Sequence, residues 1–179
     1  MKTSRAARLL AVSALTALSQ LGTPSARAVS PPQIDDRWLP GPAVPAPPWP
    51  TVQREVCTTI TAGPGPTHGQ LAGLIDLPRV WQLTRGAGQR VAVIDTGVSR
   101  HRRLPDVVPG GDYVSGGDGT QDCDAHGTLV AGIIAAAPDS RDGFSGVAPE
   151  ATVIGIRQSS GKFAAAKDRS RSGVGDVDT

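Results

Sequence analysis

Arg90-Val91-Ala92-Val93-Ile94-Asp95-Thr96-Gly97 is an apolar run that ends in a carboxylate and a turn. Apolar side chains at consecutive rather than alternate positions predict a strand buried on both faces of a parallel sheet. In such sheets functional groups gather at the carboxyl ends of the strands. Asp95 stands at that end, and Thr96-Gly97 lets the chain turn sharply away. Downstream, His126-Gly127-Thr128-Leu129-Val130-Ala131-Gly132 opens a small, apolar segment that runs to Ala137, which predicts a buried helix ended before Pro138. Ala151-Thr152-Val153-Ile154-Gly155-Ile156-Arg157 predicts a second buried strand. Strand, long connection, helix and strand together predict a doubly wound parallel α/β sheet with flanking helices.

His126 falls in the first turn of the predicted helix, 31 residues after Asp95. The helix dipole there disfavours a protonated imidazole, and a neutral histidine is suited to act as a general base. Gly127 and Gly132 weaken helix propensity, so both are expected where the backbone comes close to the sheet. A carboxylate that accepts the Nδ1 proton of His126 fixes its tautomer and leaves Nε2 free to take a proton from a nucleophile. Asp95 and His126 are therefore the candidate catalytic residues. Asp-Thr-Gly also resembles the motif of aspartic proteases, but that chemistry needs two carboxylates sharing one proton, and the motif occurs once. Ser145, in Gly143-Phe144-Ser145-Gly146, does not form a Gly-x-Ser-x-Gly elbow. Ser159 and Ser160 are read as loop residues. His68 and His101 are read as solvated loop histidines, and Arg100, Arg102 and Arg103 as an exposed basic loop.

The chain has 179 residues and a formal charge of +2. Lys2, Arg5 and Arg8 precede an apolar run over residues 9–21, and Ala26-Arg27-Ala28 follows as a small-x-small cleavage site. This three-part pattern predicts a secretory signal peptide over residues 1–28. Its removal takes away four cations and no acid and leaves a charge of −2, which gives no reason to expect a nucleic-acid partner. In an exported chain the two cysteines, Cys57 and Cys123, are expected to form one disulfide. Two rival readings of Cys123 are weaker: a thiol nucleophile served by His126, and a metal site with Asp122, Asp124 and His126. No cofactor or metal is expected.

Nine of the sixteen prolines lie between Pro24 and Pro50, which predicts an extended linker or an arm laid on a surface. Trp38 and Trp49 favour the arm, because a free linker gains nothing from exposed indoles. Gly63-Pro64-Gly65-Pro66 marks a second break. Leu71, Leu74, Ile75, Val80 and Trp81 predict short helices interrupted by Pro78. Residues 105–120 read as loop, and the tail from residue 159 as polar and poor in apolar residues.

With Gly146-Val147-Ala148-Pro149-Glu150-Ala151 ahead of the second strand, residues 71–157 resemble the subtilase family of serine proteases. Within that family they look most like the mycosins, the subtilases of type VII secretion. The likeness rests on Gly86-Ala87-Gly88-Gln89-Arg90 leading into the first strand, on Asp122-Cys123-Asp124-Ala125-His126-Gly127-Thr128, and on Ala137-Pro138 through Pro149. The resemblance implies a subtilisin-like fold of which only the N-terminal portion is present. Residues 29–70 would form the Pro-rich N-terminal extension, and residues 71–179 the first part of a truncated catalytic domain. It implies a serine endopeptidase acting on protein or peptide substrates, with Asp95 as orienting acid and His126 as general base. An oxyanion asparagine, a serine in a Gly-Thr-Ser context and a terminal transmembrane helix would follow beyond Thr179, and the chain alone is expected to be inactive. Export to the cell envelope or beyond, membrane anchoring of the full-length parent and a type VII secretion membrane complex as partner are implied as well. The alternative is a non-catalytic pseudo-protease or structural component of such a complex.

Overall fold

The computed structural model describes residues 35, 37, 41, 43–60, 75–141 and 143–168. The predicted signal peptide, Trp38, the Gly63–Pro66 break, His68, Leu71, Leu74, the boundary expected at residue 70 and the end of the tail all lie outside these residues. The chain divides into two compact units, Met1–Leu39 and Pro40–Thr179. Among the described residues of the first, Arg37 and Asp35 form an exposed ion pair at 2.7 Å. The second holds β1 (Thr51–Gln53), α1 (Leu77–Val80), β2 (Arg90–Asp95), β3 (Val107–Asp112), α2 (His126–Ala135), β4 (Thr152–Arg157) and β5 (Phe163–Ala165).

Strands β2, β4 and β3 form a parallel sheet in the order β2-β4-β3. The register places Val91 beside Val153, Val93 beside Gly155 and Asp95 beside Arg157. Side chains alternate across a strand, so Val91, Val93 and Val153 share one face, and α2 packs there. Gly127, Ala131 and Ala135 are buried at four-residue intervals along α2. This small-residue stripe lets the helix axis approach the sheet closely. Val93, Val98, Leu104, Val107, Ala131, Ala135 and Val153 form the core, with Val130 and Ile134 packed on its margin.

Several sequence expectations change here. Strand β2 is not buried on both faces: Ala92 is exposed and Ile94 is 65% exposed, because α2 covers only the opposite face. Helix α2 ends at Ala135 and is not buried all round, since Leu129 and Ile133, four residues apart on one flank, are 55% and 50% exposed. Gly132 lies on open space, with nothing near the position a Cβ would take, so the expected close approach there does not occur. Residues 107–112, read as loop, form β3. Pro109 is tolerated because β3 bonds to β4 along one edge only and its register shifts between Pro109 and Asp112. Gly110 and Gly111 serve that shift: a Cβ on Gly110 would meet Ile154 and Ile156, and Gly111 has φ 116°. Pro78 does not interrupt a helix. It sits in the first turn of α1, where its missing N–H costs nothing, and Asp76 caps that turn by accepting from the Arg79 N–H at 3.2 Å.

The described end of the Pro-rich segment, residues 43–50, and the residues after it lie along the rest of the second unit. Pro45 lies against Gly111, and the Thr51 hydroxyl donates to the Val114 carbonyl. Strand β1 pairs antiparallel with β5, Thr51 opposite Ala165 and Gln53 opposite Phe163. The Thr58 N–H bonds to the Cys123 carbonyl at 2.8 Å, and Cys57 is joined to Cys123. The tail is thus less polar in its setting than in its composition: Ala164, Ala165 and Ser160 are buried. Arg103, read as solvated, is also buried. Its Nε donates to the Ala137 carbonyl at 2.8 Å and its guanidinium lies 5.8 Å from the Phe144 ring centre. It is a strut between two loops.

The disulfide closes a 66-residue separation, for which chain entropy predicts about 4 kcal/mol. Paired Cys57→Ser and Cys123→Ser replacement is expected to lower unfolding free energy by about that amount, read by urea denaturation, and to open the segment around residues 54–58 to limited proteolysis.

Candidate active site

Asp95 ends β2 and His126 begins α2. The His126 Nδ1 lies 2.7 Å from Asp95 Oδ1 and 3.0 Å from Oδ2. An ionised carboxylate can only accept, so Nδ1 carries the proton and donates it. Asp95 Oδ1 also accepts the Thr96 backbone N–H at 2.7 Å. The carboxylate is 19% exposed and the imidazole 69% exposed. The arrangement is a histidine oriented through Nδ1, with Nε2 left available for proton transfer.

The electrostatics differ from the dipole expectation. The Asp95 hydrogen bond and charge, with a smaller contribution from Asp122, raise the His126 pKa above the ordinary histidine value. A carboxylate at hydrogen-bond distance outweighs partial charges at a helix end. For Asp95, burial alone would raise the pKa. The hydrogen bonds from His126 and the Thr96 N–H outweigh it and leave the carboxyl lowered.

Helix α2 starts without a capping side chain of its own. Ala125, at the N-cap, has φ 70° and makes no side-chain bond. The first N–H groups of a helix need acceptors, and two other residues supply them. Asp122 Oδ2 accepts from the Thr128 N–H at 2.8 Å and the Thr128 hydroxyl at 2.7 Å. The Thr96 hydroxyl accepts from the Gly127 N–H at 3.0 Å. Asp122 Oδ1 receives the Thr96 hydroxyl at 2.8 Å and the N–H groups of Ala125 and Asp124 at 2.8 and 3.1 Å. The sequence reading gave Thr96 only a turn and Asp122 only a place in the rival metal site, and neither a role beside the catalytic pair. The available signal was an acid four residues ahead of the histidine, a spacing that lets one side chain reach back over the helix start.

Gly127 behaves as the sequence predicts. A Cβ there would strike the Gly97 carbonyl and stand 3.1 Å from both Cβ and Oδ1 of Asp95. The Cys123 sulfur is bonded to Cys57, which removes it from the thiol-nucleophile and metal readings. Asp124 is held by the Ser160 hydroxyl and the Gly161 N–H. Ser160 is therefore a buried strut rather than a free loop residue. The Ser159 N–H bonds to the Asp95 carbonyl at 3.3 Å. His101 is exposed in a turn, its Nδ1 accepting from the Arg103 N–H at 3.2 Å. Among the described residues no serine hydroxyl bonds to the His126 ring.

A parallel sheet with a carboxylate at a strand end, paired to a histidine on the packed helix that follows, defines an α/β protein of subtilisin-like architecture. Residues 86–172 match the Subtilase family, and the chain belongs to that family. Across 183 residues it is 71% identical to Mycosin-4 of Mycobacterium tuberculosis, covering 100% of this chain and 40% of that relative. It superposes on MycP3 protease from the type VII (ESX-3) secretion system with TM-score 0.66 and 51% identity, over 77% of this chain and 38% of the other. The match to a chain of an intact ESX-5 inner membrane complex has TM-score 0.66 and 43% identity, over 78% and 36% respectively. The chain thus spans about two fifths of the length of such relatives.

A raised His126 pKa means the pair's contribution to stability is full below about pH 6.5 and fades as pH rises through the raised value. A lowered Asp95 pKa means it is also lost as pH falls through that lowered value. The stability difference between the wild type and Asp95→Asn should therefore be largest between about pH 4 and 6.5, measured by urea unfolding across pH. Gly127→Ala should cost about 1–3 kcal/mol and return the His126 NMR titration midpoint toward the ordinary histidine range, by pushing the helix start off Asp95.

Proposed function

We propose that this chain carries the acid and base of a serine endopeptidase that works through an acyl-enzyme. The observation that carries the reading is the 2.7 Å bond between His126 Nδ1 and Asp95 in a subtilase-family chain. In this reading His126 Nε2 takes the proton of a serine hydroxyl as the oxygen attacks a peptide carbonyl. The same proton then passes to the leaving amine as the carbon–nitrogen bond breaks, and water completes the cycle by hydrolysing the ester. Asp95 holds the ring in the required tautomer and stabilises the imidazolium. In this reading the nucleophilic serine is supplied by sequence beyond Thr179, and the 179-residue chain alone turns over no peptide.

The substrates are proteins or peptides. Residues 1–28 direct export, residues 29–70 form the extension, and residues 71–179 form the first part of the catalytic domain. The protein works at the cell envelope beside a type VII secretion membrane complex, with the full-length parent anchored in the membrane. The likeness to a chain of the ESX-5 inner membrane complex supports that placement.

A fluorophosphonate probe, which labels activated serines, tests the chemistry. The 179-residue chain should stay unlabelled. A polypeptide in which it replaces the corresponding N-terminal part of Mycosin-4 should label, and His126→Ala in that polypeptide should slow labelling by about 10³-fold or more. Labelling of the short chain would overturn the placement of the nucleophile. Labelling indifferent to His126→Ala would overturn its role as base, and a chimera that folds without labelling would favour the non-catalytic alternative.

A further inference from the structure

We infer that Thr96 and Asp122 are positioning residues, a hydroxyl–carboxylate clamp that fastens the end of β2 to the start of α2 and so fixes Asp95 against His126. The inference rests on the reading of Asp95 and His126 as the catalytic pair and adds two residues to it.

The direction of the bonds follows from their chemistry. The Gly127 N–H can only donate, and it donates to the Thr96 oxygen at 3.0 Å. The single Thr96 hydroxyl proton then goes to Asp122 Oδ1 at 2.8 Å. The result is one chain of bonds, amide to hydroxyl to carboxylate, in which each link polarises the next. Two of its three members stand beside the reacting groups: Thr96 follows Asp95, and Gly127 follows His126. The Thr96 N–H also fixes the Asp95 carboxylate by donating to Oδ1 at 2.7 Å. A ring that is 69% exposed has little packing to hold it, so its alignment depends on where the backbone delivers it.

Asp122 is suited to this place because all its neighbours donate. Five hydrogen bonds reach its two oxygens, three to Oδ1 and two to Oδ2. An asparagine of the same shape has one oxygen and one NH2 group. In either orientation it would set N–H groups against N–H or O–H donors, so Asn cannot replace Asp here.

The test is NMR of the His126 ring in the full chain with its disulfide formed, with His126→Gln used to assign the ring among three histidines. Long-range proton–nitrogen spectra give the tautomer, and the titration gives the midpoint. Asp95→Asn is the reference, expected to lower the midpoint and mix the tautomers. Thr96→Val should remain folded, lose the single Nδ1–H tautomer and show most of the Asp95→Asn drop. Thr96→Ser, which restores the hydroxyl, should return both readings to wild type. Asp122→Asn should act in the same direction as Thr96→Val, and if it fails to fold the threonine pair decides. A folded Thr96→Val with a wild-type tautomer and midpoint, while Asp95→Asn shifts both, would overturn the clamp and leave the pair standing. An Asp95→Asn variant that shifts neither would overturn the pair itself, and the clamp with it. A melting temperature that falls without any change in the ring would mark Thr96 as merely structural.

Discussion

The first turn of α2 meets the last residue of β2 at a separation that leaves no room for a side chain at position 127. At that distance the backbone of one element lies against the carboxylate of the other, and the helix must begin at that point. A helix that begins in such a tight place cannot supply its own cap, because the N-cap position is filled by Ala125 in a left-handed turn. Its leading N–H groups are satisfied from the residue that follows β2 and from the loop ahead, through Thr96 and Asp122. Replacing an N-cap acceptor usually costs about 1 kcal/mol. Here the same bonds also set where the imidazole stands, so local stability and site geometry rest on shared contacts.

Other parts of the unit brace that junction from behind. Beside Asp95 in register lies Arg157, buried at the end of β4, yet its charge is directed away from the site. Its Nη1 lies 3.3 Å from Asp112 and 3.0 Å from the Ser115 hydroxyl, and its guanidinium lies 4.5 Å from the Phe163 ring centre. Asp112 stays ionised although burial opposes it, because the Ser115 and Val114 N–H groups donate to its carboxylate. Breaking such a buried pair from one side leaves an uncompensated charge, so β3, β4 and β5 are held to one arrangement. The arm then closes over β5, and the Cys57–Cys123 bond fastens it one residue from Asp122. A chain of contacts therefore runs from the Pro-rich arm to the start of the helix that carries His126.

The expectations from sequence that the fold overturns share a cause. Residues 107–112 contain Pro109, Gly110 and Gly111, which argue against a strand when read alone. They form one because β4 offers a partner edge and because Ile154 and Ile156 exclude larger side chains there. Strand β5 is three residues long and has no periodicity to read, and its partner lies more than a hundred residues earlier. Arg103 sits among other arginines and looks solvated, but carbonyls of distant loops surround it. In each case the deciding partner is remote in sequence. Ile94, Leu129 and Ile133 are the converse. Their hydrophobicity reads as burial, while among the described residues Ile94 on the second face of β2 and one flank of α2 stand exposed.

What the sequence determined by itself was whatever depends on neighbours in the chain: an apolar strand ending in Asp95, a helix opening at His126, the turn between them, and the pairing open to two cysteines. These follow from periodicity, propensity and motif, which are local. The tertiary structure alone decided that Asp95 and His126 lie 2.7 Å apart. It decided too that the raised His126 pKa follows its carboxylate partner rather than the helix dipole, and that Thr96 and Asp122 join the two elements. The physical reason is that hydrogen bonds and charge act over a few ångströms of space, and the 30 residues between Asp95 and His126 carry no record of that distance until the helix is packed on the sheet.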